Sequence, residues 1–71
     1  MDSVYKVIEL VGTSTESWEK AAATAVEMAA QSLHDLRVAE VVELDMMIEE
    51  GMVVAYRAKV KVSFKYQKGS E

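Results

Sequence analysis

The sequence predicts an α+β fold: β-α-β-β, one three-stranded antiparallel sheet wrapped around a single helix. Three observations carry it. From Met52 to Tyr66 the chain alternates: Val54, Tyr56, Ala58, Val60, Val62, Phe64 and Tyr66 point one way, and Arg57, Lys59, Lys61, Ser63 and Lys65 the other. Period 2 marks a strand with one dry and one polar face. From Trp18 to Leu36 apolar residues recur at spacings of three and four, the mark of a helix. Two further β-rich stretches, Val4–Val11 and Val38–Ile48, flank that helix.

The first strand, Val4 to Val11, alternates imperfectly, because Lys6 and Glu9 fall on opposite faces. A strand contacted on both sides reads this way. Gly12-Thr13-Ser14-Thr15 ends it and offers several helix caps; Ser14 is the expected N-cap, with Glu16 and Glu19 near the positive end of the helix dipole. The helix is expected to run to about Asp35. Its inward stripe is Trp18, Ala22, Ala25, Ala29, Leu33 and Leu36, widened by Ala21, Val26 and Met28. So much alanine lets a helix lie close against a sheet. Trp18 is expected in the core.

Glu49-Glu50-Gly51 is the predicted hairpin turn. A three-residue loop pairs 48 with 52, 46 with 54 and 44 with 56, which puts the apolar even positions on one face and Gly51 in the left-handed position. The same register sets Glu43 opposite Arg57. The last strand, at about 3.3 Å per residue, spans about 50 Å. That is longer than so small a domain needs, so the strand bends or reaches another subunit. Residues 67–71 are polar and expected to fray.

The 71 residues are expected to form one domain, residues 1–71. A core this small usually needs disulfides, metal or oligomerisation. With no cysteine and 51% hydrophobic residues, oligomerisation is the expected device. The N-terminal residues lack the basic start and apolar run of a signal peptide, and no stretch approaches the roughly 20 apolar residues of a membrane span, so a cytoplasmic protein is expected. A net charge of −4 argues against nucleic acid or an anionic membrane as partner. The basic stripe Arg57, Lys59, Lys61 and Lys65 has its aromatics on the opposite face, unlike a nucleic-acid-binding sheet. It suits carboxylates of neighbouring subunits, or an anion such as a phosphorylated nucleotide.

Catalysis has little raw material. His34 is the single histidine and stands near the helix C-terminus, and a nucleophilic triad would need more. Met28, Met46, Met47 and Met52 read as packing residues. Glu43 and Asp45, two apart on one strand face, are candidate Ca²⁺ ligands, particularly where symmetry gathers copies. The competing reading pairs Glu43 with Arg57 and Asp45 with a lysine of another subunit.

Val4–Ser14 (VYKVIELVGTS), the acidic helix start, Leu36-Arg37, Glu40-Val41-Val42-Glu43, the Glu-Glu-Gly turn and Tyr56 followed by alternating Lys-Val-Ser-Phe together resemble the dodecin family. The resemblance covers nearly the whole chain. It implies a hollow homododecamer that stores or buffers a small ligand, typically riboflavin-type flavin stacked in pairs between subunits, and no enzyme activity. Two positions depart from it. Typical dodecins carry the flavin-stacking tryptophan where this chain has Val38, and a glutamine that bonds the flavin edge where it has Arg57. Valine offers no π-face, and arginine has donors only. The resemblance is stronger to a divergent subgroup that includes a calcium-binding dodecin. A storage assembly with an altered pocket, a calcium assembly bridged by carboxylates between subunits, and flavin binding in altered geometry are the three readings it leaves.

Overall fold

The computed structural model describes residues 2–66. Strand β1 (Tyr5–Ser14), helix α1 (Trp18–Ala30), strand β2 (Leu36–Glu49) and strand β3 (Met52–Lys65) follow in the expected order. The expected fraying at 67–71 lies outside the described residues. The sheet is antiparallel with order β1-β3-β2, so the alternating strand is central. The molecule measures 52 × 20 × 14 Å, its length that of the hairpin.

The helix starts later than expected. Ser17, not Ser14, is the N-cap, its hydroxyl accepting from the Lys20 N–H at 3.0 Å. The Ser14 hydroxyl instead accepts from the Glu16 N–H at 2.9 Å, turning the chain out of β1. Both serines compete for the same kind of cap, and only the spacing to the helix–sheet contact chooses between them. The helix also ends at Ala30 rather than near Asp35. The Ala29 carbonyl accepts from both Ser32 and Leu33, which tightens the last turn, and Asp35 at φ 61° redirects the chain into β2.

Six small side chains make the core: Ala21, Ala25 and Ala29 of α1 against Ala58, Val60 and Val62 of β3. Ile8, Leu10 and Leu36 pack around them. The alanine stripe brings the helix so near that Gly12 of β1 has no room for a side chain; a Cβ there would lie 2.0 Å from the Ala21 carbonyl oxygen. The helix lies over β1 and β3. The corresponding face of β2, with Val41, Leu44 and Met46, is exposed.

The hairpin register corrects the expected one. Glu49 pairs with Met52 around a two-residue turn, Glu50 at φ 51° and Gly51 at φ 77°. A bulge beyond Ile48–Val53 restores parity, and then Met46 pairs with Tyr56, Asp45 with Arg57, Leu44 with Ala58 and Glu43 with Lys59. Glu43 therefore does not face Arg57. Between Glu43 and Met47 the faces are as the alternation predicts, with the ladder displaced by two residues; past the bulge between Val41 and Glu43 the parity flips, and the odd-numbered Val41 and Ala39 join the helix side opposite Val60 and Val62. Further bulges fall between Val41 and Glu43 and between Leu36 and Val38.

Candidate functional site

The sheet face away from the helix carries the polar side chains of all three strands. Its rows follow from the register: Thr13–Arg57–Asp45, Val11–Lys59–Glu43, Glu9–Lys61–Glu40 and Val7–Ser63–Val38. A central column of cations on β3 is thus flanked by carboxylates, three on β2 and one on β1. Opposite charges directly across a ladder attract.

The best-defined pair is Arg57 with Asp45. Arg57 Nε donates to Asp45 Oδ1 and an Arg57 terminal nitrogen to Oδ2, both at 2.8 Å, the parallel fork that guanidinium and carboxylate favour. These hydrogen bonds are the main reason the Asp45 carboxyl is held below its ordinary range, and they push the Arg57 guanidinium up. The expected partner of Asp45, a lysine of another subunit, is therefore replaced by an arginine of its own chain. One step on, Lys59 Nζ stands 3.5 Å from Glu43 Oε1 in a looser, exposed pair.

Trp18 is not in the core. It is the first helical residue, half-buried, and its indole N–H donates to the Asp45 backbone oxygen at 3.0 Å. Its ring meets Tyr56 edge to face, centroids 5.1 Å apart. Tryptophan at a helix start can reach sideways to a strand that the helix body does not cover. The level of Asp45 and Tyr56 is thereby fixed to the helix N-terminus.

The predicted site residues fall into two places. Glu43, Asp45 and Arg57 are neighbours. Val38 is not with them: its row lies six residues along β3 from Arg57, about 20 Å away. Val38 is 60% exposed, its carbonyl accepting from the Ser63 hydroxyl at 3.4 Å. A small ligand therefore cannot touch both Val38 and Arg57 of one chain. A single chain does not fit calcium either. Ca²⁺ takes six to eight oxygens, both Asp45 oxygens are engaged by Arg57, and among the described residues no three His, Cys, Asp or Glu are placed to hold a metal.

No described helix is long and apolar enough to cross a membrane. The dodecin family model matches residues 4–67. Calcium dodecin from Mycobacterium tuberculosis is 54% identical over 63 residues, 89% of each chain. A crystal structure of that calcium-chelating antigen, with its novel calcium-binding site, superposes with a TM-score of 0.82 at 50% identity, covering 97% of this chain and 99% of that one. The dodecin of Streptomyces coelicolor superposes with a TM-score of 0.90 at 32% identity, over 96% of this chain and 97% of that one. Fold, ladder and sequence agree over nearly the whole length: this chain belongs to the dodecin family.

Proposed function

We propose that this dodecin is a cytoplasmic, non-catalytic binding and storage protein that works as a hollow homododecamer of single-domain chains. The observation that carries the reading is the apolar surface one chain leaves bare: Val41, Leu44 and Met46 beside the helix, Val7, Val11 and Val38 on the other face. A face of this kind marks an interface. The cargo is a small ligand or ion held between subunits, not flavin sandwiched in the usual way. The stacking position is the aliphatic Val38, and Arg57, at the edge-bonding position, already donates to Asp45.

The similarity to calcium dodecin favours calcium as that cargo. Glu43, Asp45 and Arg57 then form a charged subunit contact, and carboxylates such as Glu43 from more than one copy supply the oxygens that one chain lacks. Light scattering should give a mass near twelve chains. Calorimetric titration with calcium should show binding by the assembly, and riboflavin fluorescence should remain unquenched. A folded monomer at micromolar concentration overturns the assembly; an assembly that ignores calcium overturns the cargo.

A further inference from the structure

Asp45 is gripped twice. Its carboxylate takes the Arg57 fork, both oxygens engaged at 2.8 Å. Its backbone oxygen accepts from the Trp18 indole N–H at 3.0 Å. The ladder sets Asp45 and Arg57 directly opposite each other, and on its other side Arg57 meets the uncharged Thr13, so no second carboxylate competes for it in its row. Both side chains are about half exposed, so the pair adds little stability, and within one chain only Arg57 bars an ion from the carboxylate. The rest of the cation column is looser. Lys59 Nζ stands 3.5 Å from one oxygen of Glu43, whose side chain is 69% exposed. Lys61 lies between Glu9 and Glu40 and makes no salt bridge with either among the described residues. An ammonium is a mobile point charge; a guanidinium is planar and matches both carboxylate oxygens at once.

We infer that Arg57 is a built-in counter-cation that keeps divalent metal off Asp45, and so decides which carboxylates of the outer face a calcium ion can use. The inference rests on the calcium reading above and names the residue that controls it. A hard cation needs free carboxylate oxygens, and both of Asp45 are taken by a donor from the same sheet. A dication that reaches them must displace the fork or sit beside a fixed positive charge, which repels it twice as strongly as it would a monovalent ion. Trp18 closes the remaining escape, because it ties the Asp45 backbone to the helix start and so keeps the carboxylate facing Arg57. Glu43 has neither restraint. Its lysine swings aside and stays solvated, so oxygens of the Glu43 kind remain available while Asp45 is withheld. The contact is autoinhibitory: it sets the metal affinity of the outer face below what the three β2 carboxylates would otherwise reach.

Calorimetric titration with calcium at one fixed pH tests this, with light scattering to check the assembly of each variant. Arg57→Gln should bind calcium about tenfold more tightly than the unmodified protein, or at one further position per chain. Adding Asp45→Asn should remove that gain. Arg57→Lys keeps the charge but loses the fork, and should gain a few-fold; it carries the test if Arg57→Gln does not assemble. Lys61→Gln removes a charge from the same column without freeing Asp45, and should gain less than Arg57→Gln. Trp18 is the single tryptophan and bonds Asp45 directly, so its emission reports the site. Calcium should shift that emission in Arg57→Gln, at the calorimetric midpoint, and leave it flat in Lys61→Gln and in the unmodified protein. No gain in either Arg57 variant overturns the inference, whatever the unmodified protein binds. So does a gain that survives Asp45→Asn, or one that Lys61→Gln equals. An unmodified protein that ignores calcium, beside an Arg57→Gln variant that binds it through Asp45, sinks the calcium cargo and upholds Arg57 as the counter-cation.

Discussion

Gly12→Ala isolates the close approach of helix and sheet. The added Cβ would sit 2.0 Å from the Ala21 carbonyl oxygen and 3.0 Å from the Ala25 Cβ. The obstacle is backbone, so no side chain can swing aside. Ordinary contact returns only if the helix retreats by roughly 1 Å, a gap that forfeits about a quarter to a half of each dispersion well. The affected contacts are those of Ala21, Ala25 and Ala29 with Ala58, Val60 and Val62, which are the buried core. Overpacking typically costs about 1–3 kcal/mol, and a rigid obstacle in a core of six side chains places this substitution at the upper end. For a domain of this size that is a fall in Tm on the order of 10–20 °C. Circular dichroism melts at one fixed protein concentration read it. Gly51→Ala is the control: nothing lies within 4 Å of its Cβ, but its φ of 77° leaves a left-handed strain of about 1–2 kcal/mol. If Gly12→Ala melts within about 2 °C of the unmodified protein, the helix is not seated on the glycine and the packing argument is wrong.

Further outcomes are expected at the outer face and the hairpin base. Trp18→Phe keeps an aromatic edge for Tyr56 but loses the hydrogen bond to Asp45, and should cost about 0.5–1.5 kcal/mol in denaturant titration; no loss would show that the indole does not tether β2 to the helix. The Asp45 carboxyl is held low by Arg57, so its contribution to stability is complete above the ordinary carboxylate range and fades as pH falls through and below about 4. Asp45→Asn should flatten that acid limb by removing the contribution at neutral pH, so that the variant and the unmodified protein converge in acid; an unaltered acid limb refutes the clamp. Riboflavin should bind weakly or not at all, and Val38→Trp with Arg57→Gln should recover part of the loss, a stacking platform contributing about 1–3 kcal/mol. Tight riboflavin quenching by the unmodified chain would contradict this.

The element order and the faces of α1 and β3 were legible because they rest on periodicity, which Val54 to Phe64 and the alanine stripe display strongly; the bulge between Val41 and Glu43, which turns Val41 and Ala39 to the helix side, leaves no such mark. The register was not. A three-residue loop and a two-residue turn followed by a bulge have the same parity, so both put Leu44, Met46, Tyr56 and Ala58 on one face, and hydrophobic alternation cannot separate them. Turn chemistry pointed the wrong way, because Glu50 occupies a left-handed position that usually falls to Asn, Asp or Gly. A charge count would have helped: the observed ladder sets three opposite-charge pairs face to face, Asp45–Arg57, Glu43–Lys59 and Glu40–Lys61, where the expected one makes Glu43–Arg57 and sets Lys59 against Val41. Ser14 and Ser17 are equal as caps by type. Trp18 was misplaced because its stripe position says which way it points, not that it stands at the helix end with a free side to reach β2.

The six-residue core has a thermodynamic consequence. Alanine and valine offer little area, and a chain below roughly 70–80 residues rarely gains more than about 3–5 kcal/mol from its own interior. The larger side chains, Leu44, Met46, Ile48 and Met52 among them, wait outside it. In the proposed assembly, that outer apolar surface leaves water when copies meet. Folding and association are then one equilibrium, in which subunit concentration enters as a high power. Dilution acts on such a protein as a denaturant does, and its melting temperature climbs with the logarithm of the amount in the tube.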